Sequence, residues 1–258
     1  MQMLYMFNHK NVALGLVMAA AIAFVPVSNA ALVNYSQNFE GMNQADPGVL
    51  GADGWLVFGN VFNSGGGFLY EYGPFPAPNA CVAGGGPAFS CVAAGEGGSA
   101  QGTQQLVVFS DYNNGDHGIG NIIESNVFQE QTIDAGDVSK TMQFSFDAKK
   151  GDIGGSSTAS AFIKTVDGSG ALTNFITFDA TSISTLWGTY NLDIVIDASL
   201  IGQKLQFGFL NNATDYEPSG IVYDNVNFGA VVPIPAAVWL FGSGLLGLVG
   251  IARRNKAA

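Results

Sequence analysis

The side chains that most often carry out catalysis are scarce in this sequence. The 258 residues include 2 histidines and 2 cysteines. Because His9 falls in the N-terminal segment, His117 is the single histidine of the remaining chain, and a zinc site with two or three histidines is excluded. Residues 31–230 also lack the glycine-flanked serine of hydrolases and the glycine-rich phosphate-binding loops. No local motif supports a Ser-His-Asp arrangement through His117.

Acidic side chains are far more abundant, with 20 Asp and Glu residues. Val222, Asp224, Val226 and Phe228 stand at every second position, so a strand would place all four on one face. Three of them are apolar, and Asp224 would therefore be directed toward the core. A buried carboxylate without a partner costs several kcal/mol or becomes protonated. We therefore expect a structural calcium ion, bound by Glu40, Asp224 and loop carbonyls, since calcium prefers oxygen ligands. The alternative is that backbone N–H groups at a strand end satisfy Asp224.

A second acidic segment runs from Asp111 to Asp116. Its glycine stands at the fifth position of an EF-hand loop instead of the sixth, and Ile122 replaces the glutamate at position twelve. We expect a turn built by Asx side chains, with His117 solvated beside it.

Aromatic residues are the other chemical resource. Tyr70, Tyr72 and Phe75 lie in a segment rich in Gly and Pro, where we expect an exposed patch. Aromatic rings stack on the apolar faces of sugars, so this patch predicts contact with a glycan. Trp55 and Trp187 lie within strand-like segments and are expected to fill the core.

The elements that must position these residues are β-strands. Apolar and polar residues alternate from Met142 to Ala148 and from Lys204 to Phe209, as in strands with one buried face. The same pattern predicts strands at Trp55–Phe62, Gln104–Ser110, Ala159–Asp167, Leu172–Phe178, Leu186–Ile196 and Ile221–Phe228. Clusters of Gly, Asn, Asp and Ser separate them. The prediction is one all-β domain at residues 31–230, an antiparallel β-sandwich or jelly roll, with a Gly/Pro-rich irregular loop at about 60–102.

Residues 1–30 have the features of a secretory signal peptide. An apolar stretch, Val12 to Val25, follows Lys10, and Ser28 and Ala30 supply small residues before a cleavage site. This segment predicts export through the Sec machinery. Cys81 and Cys91 are then expected to form a disulfide, worth about 2.5–3 kcal/mol in the chain-entropy model.

Residues 231–258 have the features of a membrane anchor. From Val231 to Ala252 there is no charge, and Arg253 and Arg254 follow at once. About 20 apolar residues span a bilayer as a helix, and the basic cluster stays cytoplasmic. The pattern predicts a C-terminal transmembrane helix.

The tail resembles a PEP-CTERM sorting signal. Its Pro233-Ile234-Pro235 motif, apolar helix and terminal Arg253-Arg254 pair match the order of features in that family, although Ile234 replaces the usual Glu. The resemblance implies processing by an exosortase near the Pro-x-Pro motif. It also implies membrane anchoring by the helix, followed by placement at the cell surface or in the extracellular matrix.

The ends of the central domain resemble jelly-roll carbohydrate-binding modules. The resemblance rests on Asn38-Phe39-Glu40 and on Tyr223 to Phe228, a Tyr-Asp-Asn-Val-x-Phe motif. It implies that the first and last strands pair, that they share calcium, and that the domain binds sugar.

The net negative charge of residues 31–230 argues against nucleic acid as a partner. Residues 31–230 hold five basic and 20 acidic residues, a formal charge of −15, so nucleic acid would be repelled. We expect a non-enzymatic, envelope-sorted protein that acts at the surface or in the exopolysaccharide matrix, with a polysaccharide as partner. An extracellular glycosidase or other hydrolase, using two carboxylates, is one alternative. A structural or adhesive matrix protein is the other.

Overall fold

The chain folds almost entirely as β-strands. A computed structural model describes residues 31–82 and 86–231. Its strands are β1 (Tyr35–Gln37), β2 (Leu56–Phe62), β3 (Phe68–Pro76), β4 (Ser90–Ala94), β5 (Gln104–Val108), β6 (Ile122–Thr132), β7 (Thr141–Ile153), β8 (Thr158–Val166), β9 (Leu172–Asp179), β10 (Gly188–Val195), β11 (Lys204–Ala213) and β12 (Ser219–Ala230). One α-helical turn, Val49–Ala52, and three 3-10 helices, Gly115–Ile119, Ala135–Asp137 and Ala198–Leu200, connect them.

The strands form two antiparallel six-stranded sheets, which confirms the predicted all-β class. Sheet A has the order β10-β7-β12-β5-β4. Along the edge of β12 that does not pair with β7, β5 pairs with the N-terminal part of β12 and β1 pairs with its C-terminal part. Sheet B has the order β3-β2-β6-β11-β8-β9. The first and last strands therefore pair, as the terminal motifs imply.

Aromatic side chains fill the space between the sheets. Phe209 of β11 stacks on Tyr223 of β12 with ring centroids 3.6 Å apart, and Phe207 stacks on Phe228 at 4.2 Å. Trp55 is completely buried beside them, as expected. Full burial of each such side chain stabilises the fold by about 1.5–3 kcal/mol, so this layer holds the two sheets together.

The predicted irregular loop at 60–102 is wrong in part, because it contains β3 and β4. Each pairs at the edge of a sheet, β3 with β2 and β4 with β5. No residue of β3 is buried, so its sequence has no apolar face to mark it as a strand. The predicted disulfide is confirmed: Cys81, before β4, is bonded to Cys91 within β4.

The predicted orientation of Asp224 is also wrong. A β-bulge shifts the β7–β12 register between Asp224 and Asn227, with Asn225 at φ 47°. Val226 and Phe228 therefore face the core, whereas Asp224 lies on the outer face of sheet A. It is nevertheless fully buried. The neighbouring Asn225 donates a hydrogen bond to the carbonyl of Ala100 in the β4–β5 connection.

Three predicted features lie outside the described residues: the signal peptide at 1–30, the transmembrane helix, and the sorting motif of Pro233, Ile234, Pro235, Arg253 and Arg254. Among residues 31–82 and 86–231, no helix has the length and apolar character needed to cross a bilayer.

Candidate functional site

An open groove of about 560 Å³ crosses the outer face of sheet B. All six strands of the sheet contribute to it. Its apolar side chains include Phe58, Phe128, Phe175 and Leu210, and its polar side chains include Asn60, Glu71, Glu124, Asn126, Glu130, Lys164 and Gln206. A long depression with an apolar floor and polar walls is suited to an extended ligand that has both kinds of surface.

The floor of the groove depends on a glycine. Gly208 of β11 lies directly between Phe128 of β6 and Phe162 of β8 in the two ladders. A Cβ atom at Gly208 would clash with the backbone carbonyl oxygen of Val127, so no larger residue fits. Phe128, Phe162 and Leu210 form a small apolar cluster separate from the main core. The groove therefore has a packed, rigid base.

Lys164 lies on this base. Its Nζ is 4.5 Å from the ring centre of Phe162 and 5.6 Å from that of Phe128, and it donates a hydrogen bond to Asn126 Oδ1 at 3.0 Å. Burial lowers the pKa of Lys164 to about 8, although the nearby Glu124 carboxylate raises it. The ammonium group is thus directed toward the protein.

Carboxylates line the walls. Glu124 accepts hydrogen bonds from Asn60 Nδ2 at 2.7 Å and Asn126 Nδ2 at 3.2 Å, both on Oε1. Glu71 lies opposite Asn60 in the β2–β3 ladder and is exposed, like most residues of β3. Glu130 accepts a hydrogen bond from Gln206.

At the β9 end of the groove, apolar side chains face solvent. Phe175 is 49% exposed and Leu172 is 55% exposed. An exposed ring at the rim of a polar groove can stack on the C–H face of a sugar.

The predicted ligand residues Tyr70, Tyr72 and Phe75 lie together, but on the other face of β3. Tyr72 donates a hydrogen bond to Asp111 Oδ2 at 2.8 Å, and Phe75 packs edge-on against Phe89 at 5.8 Å. Burial raises the pKa of Tyr72, and the Asp111 contact raises it further. These rings connect the edge of sheet B to the turn that begins at Asp111.

Tyr70 and Phe75 are the exposed members of that patch, and Tyr70 is the more exposed of the two. Its side chain is 42% exposed, and its hydroxyl donates to Asp116 Oδ2 at 3.1 Å. The turn itself is of the expected Asx kind, because Asp111 Oδ1 accepts the N–H of Asn113 and Asn114 Oδ1 accepts the N–H of Asp116.

His117 is not solvated as predicted; it is completely buried. Its ring lies between Tyr112 and Tyr216, with centroids at 5.4 and 5.0 Å, and its Nε2 is 3.2 Å from Ser110 Oγ. Burial lowers the pKa of His117. Ser110 is equally buried, so its hydroxyl is not accessible to a substrate even though it lies within hydrogen-bond reach of His117.

Trp187 does not fill the core either. It is half-buried at the surface, where its indole N–H donates to the carbonyl of Glu96 and Lys149 Nζ lies 5.5 Å from its ring centre.

Asp224 has one carboxylate oxygen with a partner and one without. Oδ1 accepts the N–H of Asn225 at 2.6 Å, whereas Oδ2 is buried and has no hydrogen bond in the described part of the chain. Burial raises the pKa of Asp224 to about 7, and repulsion from Asp147 and Glu40 adds to the shift.

Glu40, the other predicted calcium ligand, is already hydrogen-bonded. Its carboxylate accepts the N–H groups of Gln104 at 2.7 Å and Thr103 at 2.6 Å, and the Thr103 hydroxyl at 2.7 Å. The Gln104 N–H is the main cause that lowers its pKa, followed by the Thr103 hydroxyl. Across residues 31–82 and 86–231, no three His, Cys, Asp or Glu side chains cluster in a way that could hold a metal. A calcium ion here would thus need further ligands from carbonyl groups.

Sequence reasoning missed the groove because it missed β6. This strand carries Glu124, Asn126, Phe128 and Glu130 at alternate positions, all on the groove face. The period-two spacing of mixed polar and aromatic residues was the available signal.

No protein family and no curated protein sequence matches this chain. Among solved structures, it is similar to the enzymatically active domain of tailspike protein 4 from bacteriophage CBA120, at 13% identity and a TM-score of 0.42. That match covers 73% of this chain, which spans only 21% of the tailspike chain.

Other similar structures are carbohydrate-binding modules. The CBM22-1 xylan-binding domain from Paenibacillus barcinonensis has 12% identity and a TM-score of 0.39, covering 80% of this chain and 98% of that domain. A xylan-binding domain of CBM family 22 has 15% identity and a TM-score of 0.41, with 81% and 99% covered. The structural neighbours therefore include modules of the kind that the terminal motifs resemble.

Proposed function

We propose that this chain is an exported, non-enzymatic protein that binds a glycan in the groove on the outer face of sheet B and is sorted to the cell envelope. The observation that supports binding is the groove itself, which combines an exposed ring, Phe175, with amide and carboxylate groups from neighbouring strands. Sugars offer apolar C–H faces and hydroxyl groups, and this surface is complementary to both.

A binding experiment on a panel of soluble oligosaccharides tests the proposal. Phe175→Ala should weaken binding about fivefold to tenfold, since a stacked ring contributes about 1 kcal/mol beyond its buried area. Phe68→Ala is the matched control, because Phe68 is 57% exposed on β3 and does not line the groove. Equal loss in both variants, or no binding by the parent protein, contradicts the proposal.

The same panel separates the two binding surfaces. Tyr70→Ala alters the patch of Tyr70, Tyr72 and Phe75 without touching the groove. If this variant alone loses binding, the glycan contacts the patch predicted from the sequence. Release of reducing sugar that disappears in Glu71→Gln or Glu124→Gln would instead favour the hydrolase. Neither binding nor hydrolysis would favour a structural or adhesive matrix protein.

The proposal also includes sorting of the chain by its tail and a structural calcium ion at Asp224. The tail with Pro233, Ile234 and Pro235 supports recognition by an exosortase, membrane anchoring, and delivery to the surface or matrix. The orphaned Oδ2 of Asp224 supports a structural calcium ion, with Glu40 and nearby carbonyls as the other ligands. Bound calcium would neutralise buried negative charge at this position.

A further inference from the structure

The charges of the groove are arranged in a row. Asn60 of β2 stands opposite Glu71 of β3 on one side and opposite Glu124 of β6 on the other. All three side chains line the groove. Since adjacent strands lie about 4.8 Å apart, the two glutamates are set roughly 10 Å apart across the sheet.

Both carboxylates can accept further hydrogen bonds. The two amide bonds to Glu124 fall on Oε1, so Oε2 keeps its acceptor capacity for a ligand. Glu71 lies at the edge strand, where its carboxylate is accessible to solvent. Hydrogen bonds from a charged donor to such groups are roughly twice as strong as neutral ones.

The groove has little positive charge to offset them. Among the residues that line it, Glu71, Glu124 and Glu130 are acidic and Lys164 is basic. Glu130 is ion-paired with Lys204 at 3.2 Å, which leaves Glu71 and Glu124 as the two carboxylates available to a cationic ligand. Lys164 is directed onto the rings of Phe128 and Phe162 and is bound to Asn126, so it does not present its ammonium group to a ligand. Residues 31–230 as a whole, the groove included, carry a formal charge of −15, which repels polyanions.

We infer that the groove is selective for a cationic glycan, a chain of amino sugars that carry unacetylated amines. This inference rests on the proposed function and names its ligand class. Protonated amines on two sugars of the chain would bond to Glu124 and Glu71, while the ring of Phe175 contacts an apolar sugar face. An acidic polysaccharide would meet like charge at both glutamates. A neutral one would gain the stacking contact and hydrogen bonds from its hydroxyl groups, but no hydrogen bonds from a charged donor.

Titration with matched oligosaccharides tests the inference. The probes are a glucosamine hexamer, its fully N-acetylated counterpart, a neutral xylose hexamer and a uronic acid hexamer. The glucosamine hexamer should bind about tenfold more tightly than the acetylated one at low salt, and the gap should shrink as salt screens the charges. Glu71→Gln and Glu124→Gln should each reduce the preference about threefold to tenfold.

Asp193→Asn is the control, because it removes one exposed carboxylate from β10 on sheet A, away from the groove. Equal binding of the acetylated and glucosamine hexamers would overturn the ligand class but leave glycan binding intact. Binding of no hexamer would overturn both. A short lysine peptide is a further probe: if it binds as tightly as the glucosamine hexamer, the groove recognises charge without sugar, and the inference is wrong.

Discussion

Asp147 and Asp224 stand opposite each other in the β7–β12 ladder and have different environments. Burial disfavours the charged form of Asp147, but hydrogen bonds from Thr189, Asn225 and Gln101 hold its pKa below the ordinary value. Asp224 accepts the backbone N–H of Asn225 at one oxygen, and burial is the main cause that raises its pKa. At pH values between the lowered pKa of Asp147 and the raised pKa of Asp224, Asp147 is ionised and Asp224 keeps its proton.

This difference predicts how stability depends on pH. The unfolded Asp224 titrates near 3.8 and the folded one near 7, so the folded state binds more protons between these values. Without calcium, the contribution of Asp224 to the free energy of unfolding should fall as pH rises from about 4 to about 7. Asp224→Asn should remove this dependence and stabilise the protein by about 1–3 kcal/mol at pH 8, measured by thermal unfolding.

Bound calcium should stabilise the parent protein but not Asp224→Asn. If the ion binds at Asp224, the midpoint of the parent protein rises on adding calcium, and Asp224→Asn does not respond. A midpoint that is unchanged after removal of metal with EDTA and readdition of calcium would refute the calcium site. A parent protein and variant with the same pH profile would refute the raised pKa.

The sequence predicted that Asp224 is buried but not the face on which it lies. Val222, Asp224 and Val226 stand at every second position in the sequence, as the prediction assumed. The bulge at Asn225 inserts one extra residue, so Val226 and the residues after it point to the opposite face of the sheet from Asp224, whereas the two-residue period predicts the same face. A bulge depends on the strand that pairs with it, so the sequence of β12 alone does not reveal it.

At the scale of elements, Gly208 lets β11 approach its neighbours. Gly208→Ala should destabilise the fold by about 1–3 kcal/mol, because the added Cβ meets backbone atoms of Val127 and Phe128 that cannot move independently. Chemical denaturation measures the loss. Gly168→Ala is the control, since a Cβ there has no neighbour within 4 Å. Equal stability of the two variants would contradict the role of Gly208.

The disulfide is the second feature at the scale of elements that contributes to stability. Cys81 and Cys91 close a short loop that ends within β4, an edge strand of sheet A. Replacing both cysteines with serine should lower the free energy of unfolding by about 2.5–3 kcal/mol without abolishing the fold. In the parent protein, neither thiol should react with an alkylating reagent until a reductant is added. Labelling of both thiols without reductant would contradict the disulfide.

Eight strands were predictable because apolar side chains recur at every second position along them. The Phe207 and Phe209 pair, for example, alternates with Gln206 and Gly208, and β11 follows that pattern. β3 and β4 were not predictable, because an edge strand such as β3 exposes both faces and carries no periodic signal. The groove is set by residues on six strands, which no single segment of sequence brings together.

At the scale of the whole molecule, sorting predicts a change in mass. If the tail is processed near Pro233 or Pro235, mature envelope protein should lack every peptide that contains Trp239 or Leu245. Mass spectrometry of envelope fractions checks this, with peptides from residues 31–230 as the internal control. An intact C-terminus in fully matured surface material would contradict processing, although not attachment to the membrane.

The position of β12 has a mechanical consequence. This strand is hydrogen-bonded to β7 along one side and to β5 and β1 along the other, and the N–H of Val231 extends the contact to the carbonyl of Thr141. Tension applied at Val231 along the strand axis would load both ladders in shear, so many hydrogen bonds must break together before β12 slides. We therefore expect the fold to resist pulling from this end.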